Sequence, residues 1–274
     1  MTVNIKVMKN KVVVITGAAS GMGRELALQY GKLGCRLALA DLSADSLDVV
    51  SSEAEKLGAA DVFTAAVNVS SEAEVNQFSK AVLSRFSAVD IVINNAGITA
   101  MGNFDETSPE MFKQVIDVNF WGVVYGSRAF LSALKVSSGS LVNISSLFGL
   151  IGVPGQVSYC ASKFAVRGFT ESLRQEIEAE GVHVACVHPG GVRTSIARNA
   201  IAQAPGQQQQ DDIDEIETKA LTMPASQAAE VIRRGVEKRK ARILIGRDAK
   251  TLDFIVRLLP VLYSRAVARF MPKK

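Results

Sequence analysis

Short apolar runs rich in β-branched residues alternate with segments of helical spacing along nearly the whole chain. The runs predict strands at residues 11–16, 36–41, 61–67, 90–94, 140–145, 183–187 and 242–245. Helical spacing is found at residues 21–33 and 157–179, Ser43 is placed to cap a helix, and Ser108 with Pro109 predicts a helix that continues towards Leu134. Seven strands separated by helices predict an α/β fold, a doubly wound parallel sheet in a single domain.

The composition supports a well-packed chain without a metal site. Of the 274 residues, 48% are hydrophobic and 21% are charged, which excludes a disordered chain and suits a sheet buried on both faces. Three cysteines form no CxxC pair, and His183 and His188 lack the spacing of metal ligands. We expect reduced thiols and a cytoplasmic location, because neither a signal peptide nor an apolar run of about 18 residues is seen.

A glycine-rich turn, TGAASGMG, joins the first predicted strand to the first predicted helix. It places Gly17, Gly21 and Gly23 where the backbone can approach a pyrophosphate and where the helix N-terminus offers N–H donors. Such turns also serve tight packing alone, so this motif by itself leaves both interpretations open.

Asp41 ends the second predicted strand, 20 residues after Gly21. A carboxylate at this position can accept hydrogen bonds from both hydroxyls of an adenosine ribose and would repel a 2′-phosphate. NAD is therefore favoured over NADP. Two alternatives remain: Asp41 only caps the following helix, or Arg24 binds a phosphate and softens the preference.

Tyr159 and Lys163 lie four residues apart near the start of a predicted helix, on one face of it. A phenol has an ordinary pKa near 10, and a neighbouring cation lowers it, so the pair suits a general acid and base. Ser146 ends the fifth predicted strand and can hydrogen-bond a substrate carbonyl, with Ser145 as its competitor. Asn119 lies in an apolar helical segment, where a buried amide needs partners, such as backbone and a water leading towards Lys163.

Together these motifs resemble the short-chain dehydrogenase/reductase family, in its common single-domain type. The resemblance covers about residues 11–245 and rests on TGAASGMG, the NNAG segment at residues 94–97, Asn119, Ser146, the YxxxK pair, Pro189-Gly190 and Thr194. It implies a Rossmann-type fold that binds a nicotinamide dinucleotide. It also implies a homodimer or homotetramer that pairs through the two long helices.

The resemblance also implies a role for each catalytic residue. Tyr159 would donate the proton in reduction and accept it in oxidation. Lys163 would bind the nicotinamide ribose and lower the tyrosine pKa. Ser146, selected over Ser145 by the family spacing, would orient the reacting oxygen, and Asn119 would hold a water of a proton relay.

Residues expected at the cofactor surround the same crevice. Asn68 stands where many relatives have Asp, and we expect its carbonyl oxygen to accept from the adenine amino group. Asn94 would brace the sheet, while Thr194 would lie near the carboxamide. The expected cofactor residues are Gly17, Ser20, Gly21, Met22, Gly23, Asp41, Asn68, Val69, Asn95, Ala96, Gly97, Tyr159, Lys163, Pro189, Gly190, Val192 and Thr194.

The predicted function is an NAD(H)-dependent oxidoreductase that interconverts a ketone and a secondary alcohol. Residues 147–154 are mostly apolar and either wall the substrate pocket or pack in the core or at a subunit contact. With a substrate loop at about residues 190–223, they indicate an apolar or small ketone, such as an acetoin-like, lipid-like or steroid-like one. The alternatives are a catalytically idle NAD-binding or interaction protein on the same fold, or a peripheral membrane protein acting through its basic tail.

The net charge of +4 is unevenly distributed along the chain. Residues 231–274 carry 13 Lys and Arg against 3 Asp and Glu, so the positive charge describes a tail rather than a nucleic-acid-binding face. We predict a catalytic domain at residues 1–247 and a basic, amphipathic helical extension at residues 248–274, kinked near Pro260. This extension packs on its own domain, packs on a neighbouring subunit or makes weak contact with a membrane surface.

Overall fold

The computed structural model describes residues 8–194, 196 and 221–264. In this part of the chain seven strands form one parallel sheet. They are β1 (Val12–Thr16), β2 (Arg36–Asp41), β3 (Asp61–Ala66), β4 (Ile91–Asn94), β5 (Ser140–Ile144), β6 (His183–Pro189) and β9 (Arg242–Ile245). Their order across the sheet is β3-β2-β1-β4-β5-β6-β9. Two short strands, β7 (Val192–Arg193) and β8 (Met223–Pro224), pair separately. The predicted seven-stranded parallel sheet is confirmed.

The connecting helices cover both faces of the sheet. They are α1 (Gly21–Gly31), α2 (Ala44–Lys56), α3 (Glu72–Phe86), α4 (Pro109–Ile116), α5 (Gly122–Ser137), α6 (Val157–Ile177), α7 (Ala225–Glu237) and α8 (Arg247–Leu258). Successive side chains of a strand point to opposite faces, so Val13 and Ile15 join one core cluster while Val12 and Val14 join the other. All four are fully buried, which is why this strand is an uninterrupted apolar run.

The helix predicted from Pro109 towards Leu134 is not uniform. A π-helical turn, Asp117–Trp121, separates α4 from α5. Asn119 lies in this turn and is buried, with its side chain bonded to the loop that follows β4. Such a turn re-aims one side chain without ending the helix, and such turns occur frequently at functional sites.

The C-terminal extension forms a helix that packs on its own domain, which was one of the three alternatives given for it. Leu252, Val256 and Tyr263 contact a small apolar cluster built on residues 147–153. The helix ends at Leu258, shortly before Pro260, because proline cannot continue it. The remainder of the predicted helix, beyond Ser264, lies outside the described residues. No helix of the described chain is both long enough and apolar enough to cross a bilayer.

Candidate active site

The strand order reverses direction between β1 and β4, and the loops that leave their carboxyl ends form one crevice. The glycine turn lies here, in contact with the loop after β4. Gly17 has a φ of +65°, and a Cβ added to it would lie 2.8 Å from the Cα of Ala96. A Cβ added to Gly23 would lie 2.0 Å from the carbonyl oxygen of Gly17, so only glycine fits there. These two glycines therefore let the turn pack closely against the loop after β4 and against the start of α1.

Asn95 braces this turn from the neighbouring loop. Its amide nitrogen donates to the carbonyl oxygens of Thr16 and Gly17, at 3.0 and 3.1 Å. The hydroxyl of Thr16 in turn accepts from the backbone N–H groups of Asn95 and Ala96. The Asn95 side chain therefore faces the turn. Only the backbone of Asn95 and Ala96 remains available to the expected cofactor.

The N-terminus of α1 offers N–H groups without a competing carboxylate. Helices α2 and α3 begin with serine caps and carry acidic residues in the first turn, whereas α1 has none there. Thr194 approaches the same point, since a Cβ on Gly21 would lie 3.4 Å from the Thr194 Cβ. Gly21 and Thr194, which are far apart in sequence and were both expected at the cofactor, therefore lie close together.

Asp41 ends β2 beside the glycine turn. One carboxylate oxygen accepts from the Ala19 N–H at 2.9 Å, and the other accepts from the Leu42 N–H at 2.8 Å. Arg24 is ion-paired with Glu25 and Glu53, so its charge is already balanced. A phosphate at Arg24 would therefore compete with these two carboxylates.

Asn68 and Val69 follow β3. The Asn68 carbonyl oxygen accepts from the Ser70 N–H at 3.1 Å and from the Ser70 hydroxyl at 2.7 Å. Both lone pairs of that oxygen are occupied, so the expected bond from an adenine amino group requires Ser70 to give way. Val69 is buried and packs where α5 begins, since a Cβ on Gly122 would lie 3.0 Å from it.

Tyr159 and Lys163 lie on the first turns of α6 and face each other. The Lys163 Nζ is 5.5 Å from the centre of the Tyr159 ring and donates to the Ile144 carbonyl at 3.0 Å. Lys163 is 3% exposed and forms no ion pair with the described residues. Burial lowers its pKa to about 8. An ammonium has three donors, so this buried group has capacity for further acceptors.

The pKa of Tyr159 departs from the sequence-based expectation. Burial raises it to about 12, and a hydrogen bond with the Ser146 hydroxyl opposes this rise. In this arrangement burial outweighs the groups that favour the phenolate, because the ring lies in an apolar setting. Phe148 contributes to that setting, edge-on to Tyr159 with ring centres 6.1 Å apart.

Ser145 and Ser146 have different partners. The Ser145 hydroxyl is buried and donates to the Lys163 carbonyl at 2.8 Å, which is a packing role. The Ser146 hydroxyl accepts from the Phe148 N–H at 3.1 Å, and its interaction with Tyr159 lowers the pKa of that phenol. The geometry therefore places Ser146, rather than Ser145, beside the phenol.

Asn119 organises the floor of the site. Its carbonyl oxygen accepts from the Ile98 N–H at 2.8 Å, and its amide nitrogen donates to the Ile98 carbonyl and the Ser162 hydroxyl at 2.9 and 3.0 Å. The side chain is therefore held by the backbone of Ile98 and by Ser162. A Cβ on Gly97 would lie 3.1 Å from Asn119 Oδ1 and 3.4 Å from Lys163 Nζ, so Gly97 separates the two groups without a side chain.

Sequence reasoning missed two positioning contacts. The Asp248 carboxylate on α8 accepts from the Gly191 N–H at 2.7 Å and holds the Pro189-Gly190 segment. His188 is fully buried, and its Nδ1 donates to the Ser146 carbonyl at 3.0 Å. Neither contact had a signal in the sequence, because the residues that make it are far apart along the chain.

The apolar stretch after Ser146 is mostly core. Leu147, Leu150, Ile151 and Val153 are buried in the cluster that α8 covers, so the packing alternative holds for them. Phe148, from the same stretch, packs its ring against the Tyr159 ring. Most of the predicted substrate loop, residues 195 and 197–220, lies outside the described residues.

Comparison with known proteins agrees with this geometry. The sequence model of the family described as short chain dehydrogenase matches residues 11–205. The chain belongs to this family. The "Putative oxidoreductase SadH" of Mycobacterium tuberculosis is 44% identical over 268 residues, which cover 97% of this chain and 96% of that protein.

Two solved structures of short-chain dehydrogenases or alcohol dehydrogenases share the fold. One is a short-chain dehydrogenase/reductase from Burkholderia phymatum in complex with NAD, with a TM-score of 0.82 and 28% identity, covering 97% of this chain and 98% of that one. The other is an alcohol dehydrogenase from Thermococcus sibiricus complexed with 5-hydroxy-NADP, with a TM-score of 0.74 and 30% identity, covering 87% and 95%. Members of this fold therefore bind either cofactor.

Proposed function

We propose that this short-chain dehydrogenase is an NAD(H)-dependent oxidoreductase that interconverts a ketone and a secondary alcohol. The observation that carries the proposal is the buried Lys163 ammonium, whose Nζ lies 5.5 Å from the centre of the Tyr159 ring. A protein that neither binds a dinucleotide nor catalyses has no chemical need for a desolvated lysine beside a phenol. Structural packing alone would favour an apolar residue at the Lys163 position, because burying an ammonium is costly.

The residues of the crevice fit a nicotinamide dinucleotide. The N-terminus of α1 suits the pyrophosphate, since the first turn of this helix carries no acidic residue. Asp41 suits the adenosine ribose, because its Oδ2 accepts only from the Ala19 N–H among the described residues and retains a lone pair, whereas Oδ1 accepts from the N–H groups of Leu42 and Ser43. The spare donors of Lys163 suit the hydroxyls of the nicotinamide ribose.

NAD is the proposed cofactor rather than NADP. A 2′-phosphate at Asp41 would meet a carboxylate, and the following residue is Leu42, which offers no charge. Arg24 is occupied by two glutamates. The relative that binds NAD supports this choice, and the one that binds an NADP derivative shows that the fold itself does not decide it.

The bound cofactor supplies a hydride in reduction and accepts one in oxidation. In the reducing direction Tyr159, with a pKa of about 12, remains protonated at neutral pH and donates its phenolic proton to the developing alkoxide oxygen. Ser146 holds that oxygen beside the phenol. Lys163, with a pKa of about 8, stays mostly charged at neutral pH and stabilises the phenolate left behind.

In the oxidising direction the same tyrosine removes the hydroxyl proton. This direction requires a lower tyrosine pKa than the one described, and the nearby ammonium is the group that favours the phenolate. We therefore expect oxidation to accelerate with rising pH more steeply than reduction. Asn119 acts indirectly, by holding Ile98 and Ser162 in place.

The substrate is proposed to be an apolar or small ketone, because Phe148 lies against Tyr159 and the surrounding stretch is apolar. Acetoin-like, lipid-like and steroid-like ketones all satisfy this description. A reducing, cytoplasmic compartment is proposed as well, since Cys35, Cys160 and Cys186 are free thiols.

A homodimer or homotetramer is proposed from the outer face of α6. A groove there is lined by Phe120, Ala165, Gly168, Phe169, Ser172, Leu173 and Glu176. Trp121 and Phe164 are 41% and 40% exposed nearby. Exposed aromatic side chains around a groove are typical of a protein–protein contact.

The decisive experiment is a panel of ketones and secondary alcohols followed by NADH absorbance, with NADPH in parallel. Turnover of at least one pair is expected, with NADH preferred. Tyr159→Phe should abolish that turnover while leaving NADH affinity nearly unchanged, because only the transferable proton is removed. Substantial residual turnover in this variant, or NADH binding without any turnover across the panel, would refute the catalytic role and favour the idle binding protein.

A further inference from the structure

An apolar face remains exposed on the C-terminal extension although its opposite face packs on the domain. We define the C-terminal apolar face as Phe254, Leu258, Leu259, Val261 and Leu262, which are 63%, 62%, 47%, 77% and 47% exposed. Phe254 and Leu258 are four residues apart and share one side of α8. Large apolar side chains that are contiguous and exposed in this way mark an interaction surface.

The carboxylates of α8 are engaged by other groups of the protein. Asp253 is 8% exposed and is ion-paired with Arg242 and Arg257. Asp248 accepts a hydrogen bond from the Gly191 N–H. The acidic groups of the helix are therefore already bound to the protein's own cations and backbone.

Cations surround the exposed side instead. Arg247, Lys250 and Arg257 are exposed on α8. Beyond Ser264 the sequence adds Arg265, Arg269, Lys273 and Lys274, and no Asp or Glu. Arg247 and Lys250 are thus exposed cations of α8 without an ion pair among the described residues, and the sequence that follows carries positive charge only.

We propose that the C-terminal apolar face docks on an anionic lipid bilayer, with α8 lying in the plane of the interface. Apolar side chains enter the boundary of the acyl chains, and the flanking cations bind the headgroups, as interfacial helices do. The described helix is too short to span, so it lies on the surface. The proposal does not depend on the oxidoreductase function.

Charge favours a bilayer over a second copy of the chain. In a two-fold contact through this face, the cations of one copy would meet those of the other, because the same patch occurs on both sides. Like charges brought together in this way oppose association. An anionic surface reverses the sign of the same interaction.

The test is vesicle co-sedimentation of the full chain. We expect partition into vesicles of phosphatidylcholine with about one-third phosphatidylserine, weak partition into phosphatidylcholine alone, and release at high salt. Phe254→Glu combined with Leu258→Glu should lower the partition coefficient by about tenfold or more. The matched control, Val49→Glu combined with Val136→Glu, changes the charge equally at exposed positions and should bind as the original chain does.

Further measurements decide whether this face binds a bilayer or a second copy of the chain. If the double glutamate variant does not fold, as judged by thermal unfolding, Phe254→Ser with Leu258→Ser replaces it and should lose binding in the same direction. Equal partition of the test and control variants overturns the proposal. So does the absence of vesicle binding, and a loss of self-association in the test variant would then assign the face to a second copy.

Discussion

The Asp41 carboxylate binds the backbone of its own domain and retains capacity for a ligand. Its two oxygens each accept one short N–H bond, from Ala19 and from Leu42. These bonds fix the orientation of the carboxylate before a ligand binds, so binding does not have to order this side chain. Preorganisation of this kind favours affinity and selectivity together.

Replacing this carboxylate tests the cofactor assignment. Asp41→Ala should weaken NAD binding by about 10- to 100-fold, the effect of losing hydrogen bonds to a charged acceptor, and should weaken NADP binding less. Isothermal titration calorimetry with both cofactors measures the difference. Asp45→Ala removes an exposed carboxylate from the first turn of α2 and serves as the control. An equal loss for NAD and NADP would contradict the assignment.

His188 is a second residue whose surroundings determine its chemistry. It is fully buried, and because a carbonyl only accepts, its hydrogen sits on Nδ1, bonded to Ser146. The Nε2 atom is buried without a hydrogen-bond partner in the described part of the chain. Burial lowers the pKa of this imidazole to about 4, with the nearby Arg242 acting in the same direction.

This pKa predicts sensitivity to acid. The unfolded chain takes up a proton near pH 6.5 and the folded chain only near pH 4, so stability falls as the pH is lowered between these values. His188 alone should contribute a loss of about 3 kcal/mol in the free energy of unfolding over this range. Urea unfolding at several pH values measures it. His188→Asn, which keeps a donor for Ser146, should show a shallower dependence; an unchanged dependence would rule out this explanation.

Two glycines on different helices illustrate packing at the scale of elements. Gly23 on α1 packs against the glycine turn so closely that a Cβ would overlap the Gly17 carbonyl. Gly168 on α6 has nothing within 4 Å of such a Cβ. The first glycine is therefore needed for contact between elements, whereas the second is not needed within one copy of the chain.

The alanine variants of these glycines should have opposite effects. Gly23→Ala should lower the free energy of unfolding by about 2–3 kcal/mol, as overpacking does. Gly168→Ala should raise it by about 1 kcal/mol, because alanine favours the helix. Urea titration of both variants compares them directly. A Gly23→Ala protein as stable as Gly168→Ala would show that α1 can move away from the turn.

Some elements followed from their sequence patterns and others did not. Ser108 with Pro109 correctly predicted where α4 begins, since the serine side chain accepts from the Met111 N–H. The π-helical turn had no signal, because it depends on the bonds of Asn119 to a loop 21 residues earlier. The proposed division into residues 1–247 and 248–274 stays a prediction.

At the scale of the whole molecule, the α6 groove predicts self-association. Gly168→Arg should be tolerated by the folded monomer, since the position is open, but should block a second copy that fits the groove. Light scattering coupled to gel filtration should show a reduced mass for this variant and an unchanged mass for Gly168→Ala. A wild-type chain that is monomeric, or a Gly168→Arg variant with the full oligomeric mass, would locate any contact elsewhere.

The sequence by itself determined the parallel sheet, the crevice at its switch point and the identity of the candidate catalytic residues. Strand and helix periodicity, glycine spacing and the YxxxK pair are local, so they can be read from one chain. The tertiary structure alone decided which groups are desolvated and which donors are already bonded. Burial raised the tyrosine pKa instead of lowering it, Ser70 engaged Asn68, and α8 turned residues 147–153 into core. Electrostatics and packing depend on neighbours distant in sequence, and those neighbours are known only once the chain is folded.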